Sequence, residues 1–299
     1  MKLKKISCKD FVNLEDVELS INTDNNFLLL NTSDYSISEN NIWNILKGFS
    51  NPTDIYSKES DVGYLGITYE ADGVVTTYGK TVNHNGHVIQ ELLKRNGSLA
   101  MFLDHEQNSS YFVNNKLVTE QEHKLFTVYS QFCGHQNVLN LIDKSLEKLI
   151  LGIKILNRET DCNYRVSEEA IELAEKFIVN SDLGIKELKK GYVITTTGFE
   201  MRVSDMGTGA MTLITYLPTI IDCILNNSIC VINFDFCSRF HPILMKAIVV
   251  FLNKLANKYD SQVFMRWYER DKDYFLSTKT IRKENIVLLS RTTESLIIE

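Results

Sequence analysis

The chain has 299 residues, 44% hydrophobic and 23% charged, with three prolines; this is ordinary globular composition, long enough to bury a large core as one domain or two lobes. A formal net charge of −6 argues against a broadly basic nucleic-acid surface, though a local basic patch is compatible with an acidic average. The basic start MKLKKISCKDF lacks the apolar run of a signal peptide, and no stretch approaches 18 uncharged apolar residues, so the expectation is a cytoplasmic protein without a membrane span.

Taken in chain order, VELSI and FLLLN read as strands separated by Asn and Asp turn formers. The polar loop that follows opens a helix with Ile42, Ile45, Leu46 and Phe49 on one face. From 63 to 118 short β segments are broken by Asp72-Gly73, Asn85-Gly86 and Asn96-Gly97. These pairs supply the positive φ angles of tight hairpins and predict an antiparallel meander. Residues 124 to 156 read as helical, with Leu139, Ile142, Leu146, Leu149, Ile150 and Ile153 as a stripe. A second helix is predicted over 168 to 179, with Ser167 as N-cap, Glu168 and Glu169 at its positive end, and Ala170, Leu173, Ala174, Phe177 and Ile178 on its apolar face. The charges of KELKKG (186 to 191) read as a solvated helix end; a DNA contact is the other option. Strand and helix then alternate: a helix from Thr208 to Leu225, the β run ICVINF, a helix opened by Pro242, and the strands QVFMRW and NIVLLS. Continuous apolar strands alternating with helices predict a sheet covered by helices. The domain expectation is a discontinuous head, 1–125 and 195–299, with a helical insertion at 126–194.

Six cysteines (8, 133, 162, 223, 230, 237) are scattered without a CxxC pair, so they read as reduced core thiols and not as a zinc or disulfide framework. His84, His87 and His105 fall in the meander and read as surface residues; His241 reads as packing at a loop–helix junction. Trp43, Phe49 and Phe251 are expected in the core.

In the order ISCKDFVNLEDVELSI, VIQELLKRNGSLAMFLD, NSDLGIKELK, VSDMGTGAMTLITYLPTIIDCIL, RFHPILMKAIVVFL and YFLSTKTIRKENIVLL, the chain resembles the ABC-type ATP-binding proteins of the AAA group linked to restriction and phage defence, relatives of the overcoming-lysogenisation-defect ATPases. The resemblance covers most of the chain. It implies an α/β ABC-ATPase-like head, a P-loop-type sheet with helices and an antiparallel β lobe, carrying an inserted helical subdomain.

The nucleotide chemistry departs from that pattern. A phosphate loop needs glycines, so that backbone N–H groups close on the phosphates, and a lysine for the β and γ oxygens. On residues 33 to 40 the resemblance puts Ser33 and Ser38 at glycine positions, Glu39 at the lysine position and Asn40 at the magnesium-binding hydroxyl position. One unit-charge pair at about 4 Å is worth about 4 kcal/mol at an effective dielectric near 20. Losing the lysine and adding a carboxylate therefore costs several kcal/mol, more than about a thousandfold in affinity. Glu39 reads either as a solvated residue at a helix start or as a charge closing an empty pocket; both deny it a role in hydrolysis.

The acidic motif should offer one carboxylate for Mg²⁺ and one for the attacking water. In VINFDFCSRFHP, Phe234 takes the metal position and Asp235 the catalytic one when His241-Pro242 anchors the alignment; aligning the strand instead puts Asn233 at the metal position. Asp235 reads as the end of a core strand or as a remnant base. The switch-histidine position falls on Tyr268. Ser204, Asp205, Gly207, Thr208 and Gly209 keep the small residues of a signature-like loop, which is either a plain turn before a helix or a surface that meets a partner's nucleotide.

These readings lead to a catalytically degenerate ATPase homologue with no ATP or Mg²⁺ bound, or only weakly, and no metal site. It would act as a binding, assembly or regulatory subunit in a homo- or heterodimer. The expected partner is a protein, an intact ATPase or a nuclease or toxin in antiviral defence. Two alternatives stand beside it: an active ATPase with displaced catalytic groups, and an SMC-like nucleic-acid-binding clamp.

Overall fold

The computed structural model describes residues 1–11, 14–32, 62–83, 88–104, 111–113, 116–118, 148–149, 151–156, 165–189, 191–234, 236–237, 240–267, 276, 286–291 and 296–298. The chain divides into two compact units, one comprising Met1–Thr23, Thr32–Gly152 and Leu288–Glu299, the other Asp24–Asn31 and Ile153–Val287.

The first unit holds the predicted meander. β1 (Lys2–Phe11) pairs antiparallel with β2 (Leu14–Ser20). β3 (Phe27–Thr32) takes its place in the second unit's sheet. The other neighbour of β1 is β4 (Val62–Ala71), and β5 (Val74–Asn83), β6 (Val88–Arg95), β7 (Ser98–Asp104), β8 (Tyr111–Val113) and β9 (Lys116–Val118) follow in order, each antiparallel to the last. Asp72-Gly73 (φ 51° and 77°) and Asn96-Gly97 (φ 48° and 80°) make two of the turns as expected. The Asn85-Gly86 pair lies outside the described residues.

Register sorts the meander's side chains onto two faces. Ile6, Ile67, Tyr78 and Leu93 line up across β1, β4, β5 and β6 and are all buried. On the opposite face Gly66 and Gly79 are cross-strand partners, and a side chain added at Gly79 would come 2.6 Å from the Tyr64 hydroxyl. The two glycines therefore make room for the Tyr64 ring, and burial there pushes its phenol upward.

The second unit is a parallel sheet under helices. β10 (Ile153–Leu156) pairs with β14 (Ile229–Ile232), β14 with β15 (Gln262–Trp267), and β15 with β3, all parallel and in continuous register. Three helices cover one face: α1 (Glu168–Val179), α2 (Thr208–Asn226) and α3 (Pro242–Lys258). Each follows its predicted periodicity. Ala170, Ala174 and Ile178 of α1, Leu213, Leu217, Ile220 and Ile224 of α2, and Met245, Ile248, Val249 and Leu252 of α3 meet Cys230, Ile232, Val263 and Met265 of the sheet in one core. The Phe177 and Phe251 rings stack at 4.5 Å, which places Phe251 as expected. Trp43 and Phe49 lie outside the described residues. A small antiparallel sheet, β11 (Ile185–Lys189), β12 (Tyr192–Thr195) and β13 (Glu200–Arg202), sits between α1 and α2 in sequence. Near the C-terminus β16 (Ile286–Arg291) and β17 (Leu296–Ile298) pair antiparallel.

Two local expectations are corrected. Ile153 was placed on a helical stripe but starts β10, where IKIL forms a parallel ladder with β14. The KELK charges belong to β11, where a register shift between Ile185 and Glu187 leaves Lys186, Glu187 and Lys189 exposed beside buried Ile185, while Lys190 lies outside the described residues. Of the range 126–194, residues 126–147 lie outside the described set, while 153–156 and 185–189 are strand.

Among the described residues one helix, α2, is long and apolar enough to cross a membrane by length and composition alone. Half of that window is buried within the protein and it carries Asp222, which marks a core helix. Pro218 sits inside α2; it withholds one N–H from the helix ladder, and the surrounding contacts of Leu217, Thr219 and Ile220 hold the turn in place.

Candidate functional site

The four parallel strands end on one side, because Leu156, Ile232, Met265 and Leu29 are in register and Trp267 pairs with Asn31. In sheets of this kind the carboxyl ends of the strands form the ligand-binding edge. Three of the sequence-predicted elements follow from these ends: the phosphate-loop positions after β3, the acidic motif after β14 and the switch position after β15. Ser33, Ser38, Glu39, Asn40, Asp235 and Tyr268 themselves lie outside the described residues, as do His84, His87 and His105.

Asn233 and Phe234 are described. The Asn233 amide N–H donates to the Leu156 carbonyl at 2.9 Å, extending the β10–β14 ladder one residue past β14. Phe234 is 6% exposed. Its ring lies 4.9 Å from Tyr216 of α2 and 6.1 Å from Phe236, and Phe236 meets Phe240 edge-on at 5.2 Å. The exit from β14 is thus an aromatic run that belongs to the helix-covered core. Under either alignment the metal position carries no carboxylate: one places an amide there, the other a packed ring. Among the described residues no three His, Cys, Asp or Glu side chains gather into a metal-holding group.

The signature-like loop is resolved in full. Val203–Asp205 form a 3₁₀ turn closed by the Met206 N–H on the Val203 carbonyl at 3.2 Å, and Gly207 is the N-cap of α2, so Thr208 and Gly209 lie in the helix's first turn. Ser204 and Asp205 are exposed, and the Ser204 hydroxyl donates to Asp205 at 3.1 Å. Gly207 has φ −58° and open space where a Cβ would stand, so its own backbone does not require glycine.

Two features, one in each unit, had no place in the sequence reading. Asp222, 3% exposed on α2, accepts from the backbone N–H of Ser167 at 2.9 Å and from its hydroxyl at 2.5 Å. Ser167 does occupy the N-cap of α1, but its hydroxyl is given to Asp222 and makes no cap bond to the helix. A lone acid in the apolar run PTIIDCIL was the available signal. In the meander, Lys80 and Glu91 are cross-strand partners, each 1% exposed, and Tyr78 donates to Glu91 at 2.6 Å. Cys223 and Cys230 are free and fully buried, as the sequence reading of core thiols expects; burial first, and the Cys223 thiol second, push Cys230 well above the usual thiol range. His241 is exposed at the start of α3, where its Nδ1 accepts from the Ile243 N–H at 3.4 Å and Pro242 fills the first helical position.

No protein-family model and no curated protein matches the chain. Solved structures do. The SMC head domain from Thermotoga maritima is similar with a TM-score of 0.59 over 100% of this chain and 98% of that one, at 11% identity. An SMC head domain with a coiled coil and joint from Pyrococcus yayanosii gives 0.51 over 99% and 96%, at 8% identity. An SMC head domain with an extended coiled coil from Pyrococcus furiosus, bound to the C-terminal domain of ScpA, gives 0.50 over 99% and 95%, at 9% identity. At these identities the likeness establishes the fold alone: an α/β fold like that of SMC head domains.

Proposed function

We propose that the chain is a catalytically degenerate ABC-type head, retained as a binding, assembly or regulatory subunit of a cytoplasmic complex in antiviral defence. The observation that carries this reading is the exit from β14. A magnesium–triphosphate unit needs a carboxylate there to hold the ion. Asn233 instead continues the ladder to Leu156, and Phe234 is spent on the core with Tyr216 and Phe236. The substitution of Glu39 for the loop lysine points the same way, since a carboxylate repels the phosphates that the lysine would attract.

A protein partner is favoured over a small molecule. The Pyrococcus furiosus SMC head is bound to the C-terminal domain of ScpA, so a head of this fold offers a docking body for another protein. For this chain the exposed 204–209 loop is the proposed contact. Gly207 is not required by its own backbone, and a loop of small residues allows close approach by an intact ATPase carrying its own nucleotide.

Calorimetry with ATP, with and without Mg²⁺, tests the reading. The expected result is no saturable heat at micromolar ATP in either condition. Micromolar binding, or Mg²⁺-dependent turnover abolished by Asp235→Ala, would overturn it in favour of an active enzyme with displaced groups.

A further inference from the structure

β13 is the outer strand of the three-stranded sheet, and all three of its residues, Glu200, Met201 and Arg202, are exposed. Its ladder with β12 fixes which backbone groups are in use. The Thr195 N–H donates to the Phe199 carbonyl at 2.9 Å and the Val203 N–H to the Gly191 carbonyl at 3.1 Å, with Val193 opposite Met201 between them. Hydrogen-bonded positions alternate along an antiparallel pair, so Phe199, Met201 and Val203 spend their backbone groups on β12. Glu200 and Arg202 turn theirs outward. Among the described residues neither side chain makes an ion pair or hydrogen bond.

We infer that β13 is the pairing edge for a second copy of this chain, joined antiparallel about a two-fold axis through Met201. Charge complementarity selects this occupant and this direction. In the two-fold arrangement Glu200 of each copy stands opposite Arg202 of the other, twice over. The outward N–H and C=O groups of those same residues face each other in register. Parallel pairing sets Glu200 beside Glu200 and Arg202 beside Arg202, which is repulsive. The interface is isologous, so it closes at two copies and does not propagate. Two flanking groups enlarge it. Phe199, 72% exposed, falls opposite Val203 of the second copy, and Tyr192, 39% exposed and paired with Arg202 on β12, presents a ring beside the charge pair. Shortness and charge usually protect an edge from pairing. Here the charges alternate in sign, so they permit one partner arrangement and penalise the rest.

This inference does not depend on the fate of the nucleotide site, and its test leaves ATP out. Sedimentation equilibrium of the full chain over a wide concentration range is expected to show a monomer–dimer equilibrium. Glu200→Arg and Arg202→Glu each create two like-charge contacts in the homodimer and are expected to raise the dissociation constant at least about tenfold. Mixing the two variants in equal amounts restores both attractions, so the mixture is expected to recover wild-type dimerisation. Arg202→Pro gives an independent readout. Arg202 has φ −69°, which proline adopts without strain, and only its outward N–H is lost, so the monomer keeps its fold while the edge is blocked. A wild-type chain that stays monomeric throughout overturns the inference. So does a dimer indifferent to both charge reversals and to the proline, or a variant mixture no better than its components.

Discussion

Tyr78 and Lys80 alternate on β5 and share its buried face with Glu91 of β6. Burial, and then the Glu91 charge and hydrogen bond, raise the Tyr78 phenol well above its ordinary 10.0. Burial lowers Lys80 from 10.5, while Glu91 acts against that drop. The linkage signs differ. Between the depressed Lys80 value and 10.5 the unfolded chain binds more protons at the lysine, so stability gains as pH rises; above 10.0 the folded chain holds the phenolic proton longer, so stability falls. Past 10.5 only the tyrosine effect remains, and the fold is expected to lose stability steeply there. Tyr78→Phe is expected to cost about 1–3 kcal/mol near neutral pH, because the buried hydrogen bond from Tyr78 to Glu91 is lost. It is also expected to flatten the alkaline limb; urea unfolding across the pH range reads both effects. Nothing in the sequence marks Lys80 and Glu91 as buried, since period-two alternation does not say which face is inside when both faces mix polar and apolar residues.

At the scale of elements, Asp222 ties the entry of α1 to α2 through both the backbone N–H and the hydroxyl of Ser167. Asp222→Ala leaves those donors without their acceptor and is expected to destabilise by about 2–3 kcal/mol. Asp222→Asn keeps an oxygen in place and is expected to lose less than half as much, a contrast that denaturant midpoints will resolve. A second tie spans α3 and α1, where the Tyr259 hydroxyl donates to Glu169 at 2.8 Å. The three helices were legible because each shows a long apolar period: Leu213, Leu217, Ile220 and Ile224 leave little choice. β10 was not, because a four-residue segment such as IKIL is too short to separate strand from helix; its partner β14 decides, with Ile153 opposite Ile229 far along the chain. β11 was misread for the opposite reason. Its adjacent charges Lys186 and Glu187, set by a register shift, hide the period of two, and they follow a helix closely enough to pass for its frayed end.

For the whole molecule, a ligand that binds only the folded state stabilises it by about 2.7 kcal/mol at a hundred times its dissociation constant. Millimolar ATP with Mg²⁺ is therefore expected to leave the melting temperature unchanged, whereas an intact ATPase head would melt several degrees higher. The α/β head was legible from the order of strands and helices. That Phe234 packs into an aromatic run was not, because the contact with Tyr216 joins residues 18 apart in sequence on different elements. The parallel sheet has a further consequence in time. Phe27 pairs with Val263 and the Val263 N–H donates to the Asn26 carbonyl at 2.6 Å, so β3 borders a strand made long after it. During synthesis FLLLN has no place in that sheet until residue 262 has left the ribosome. Such distant pairing is slow and leaves an apolar strand edge open meanwhile. A chain stopped short of β15 would thus lose the last-made strand of the parallel ladder and leave its first-made one, β3, without that partner, making premature termination a route to aggregation and not merely to a smaller protein.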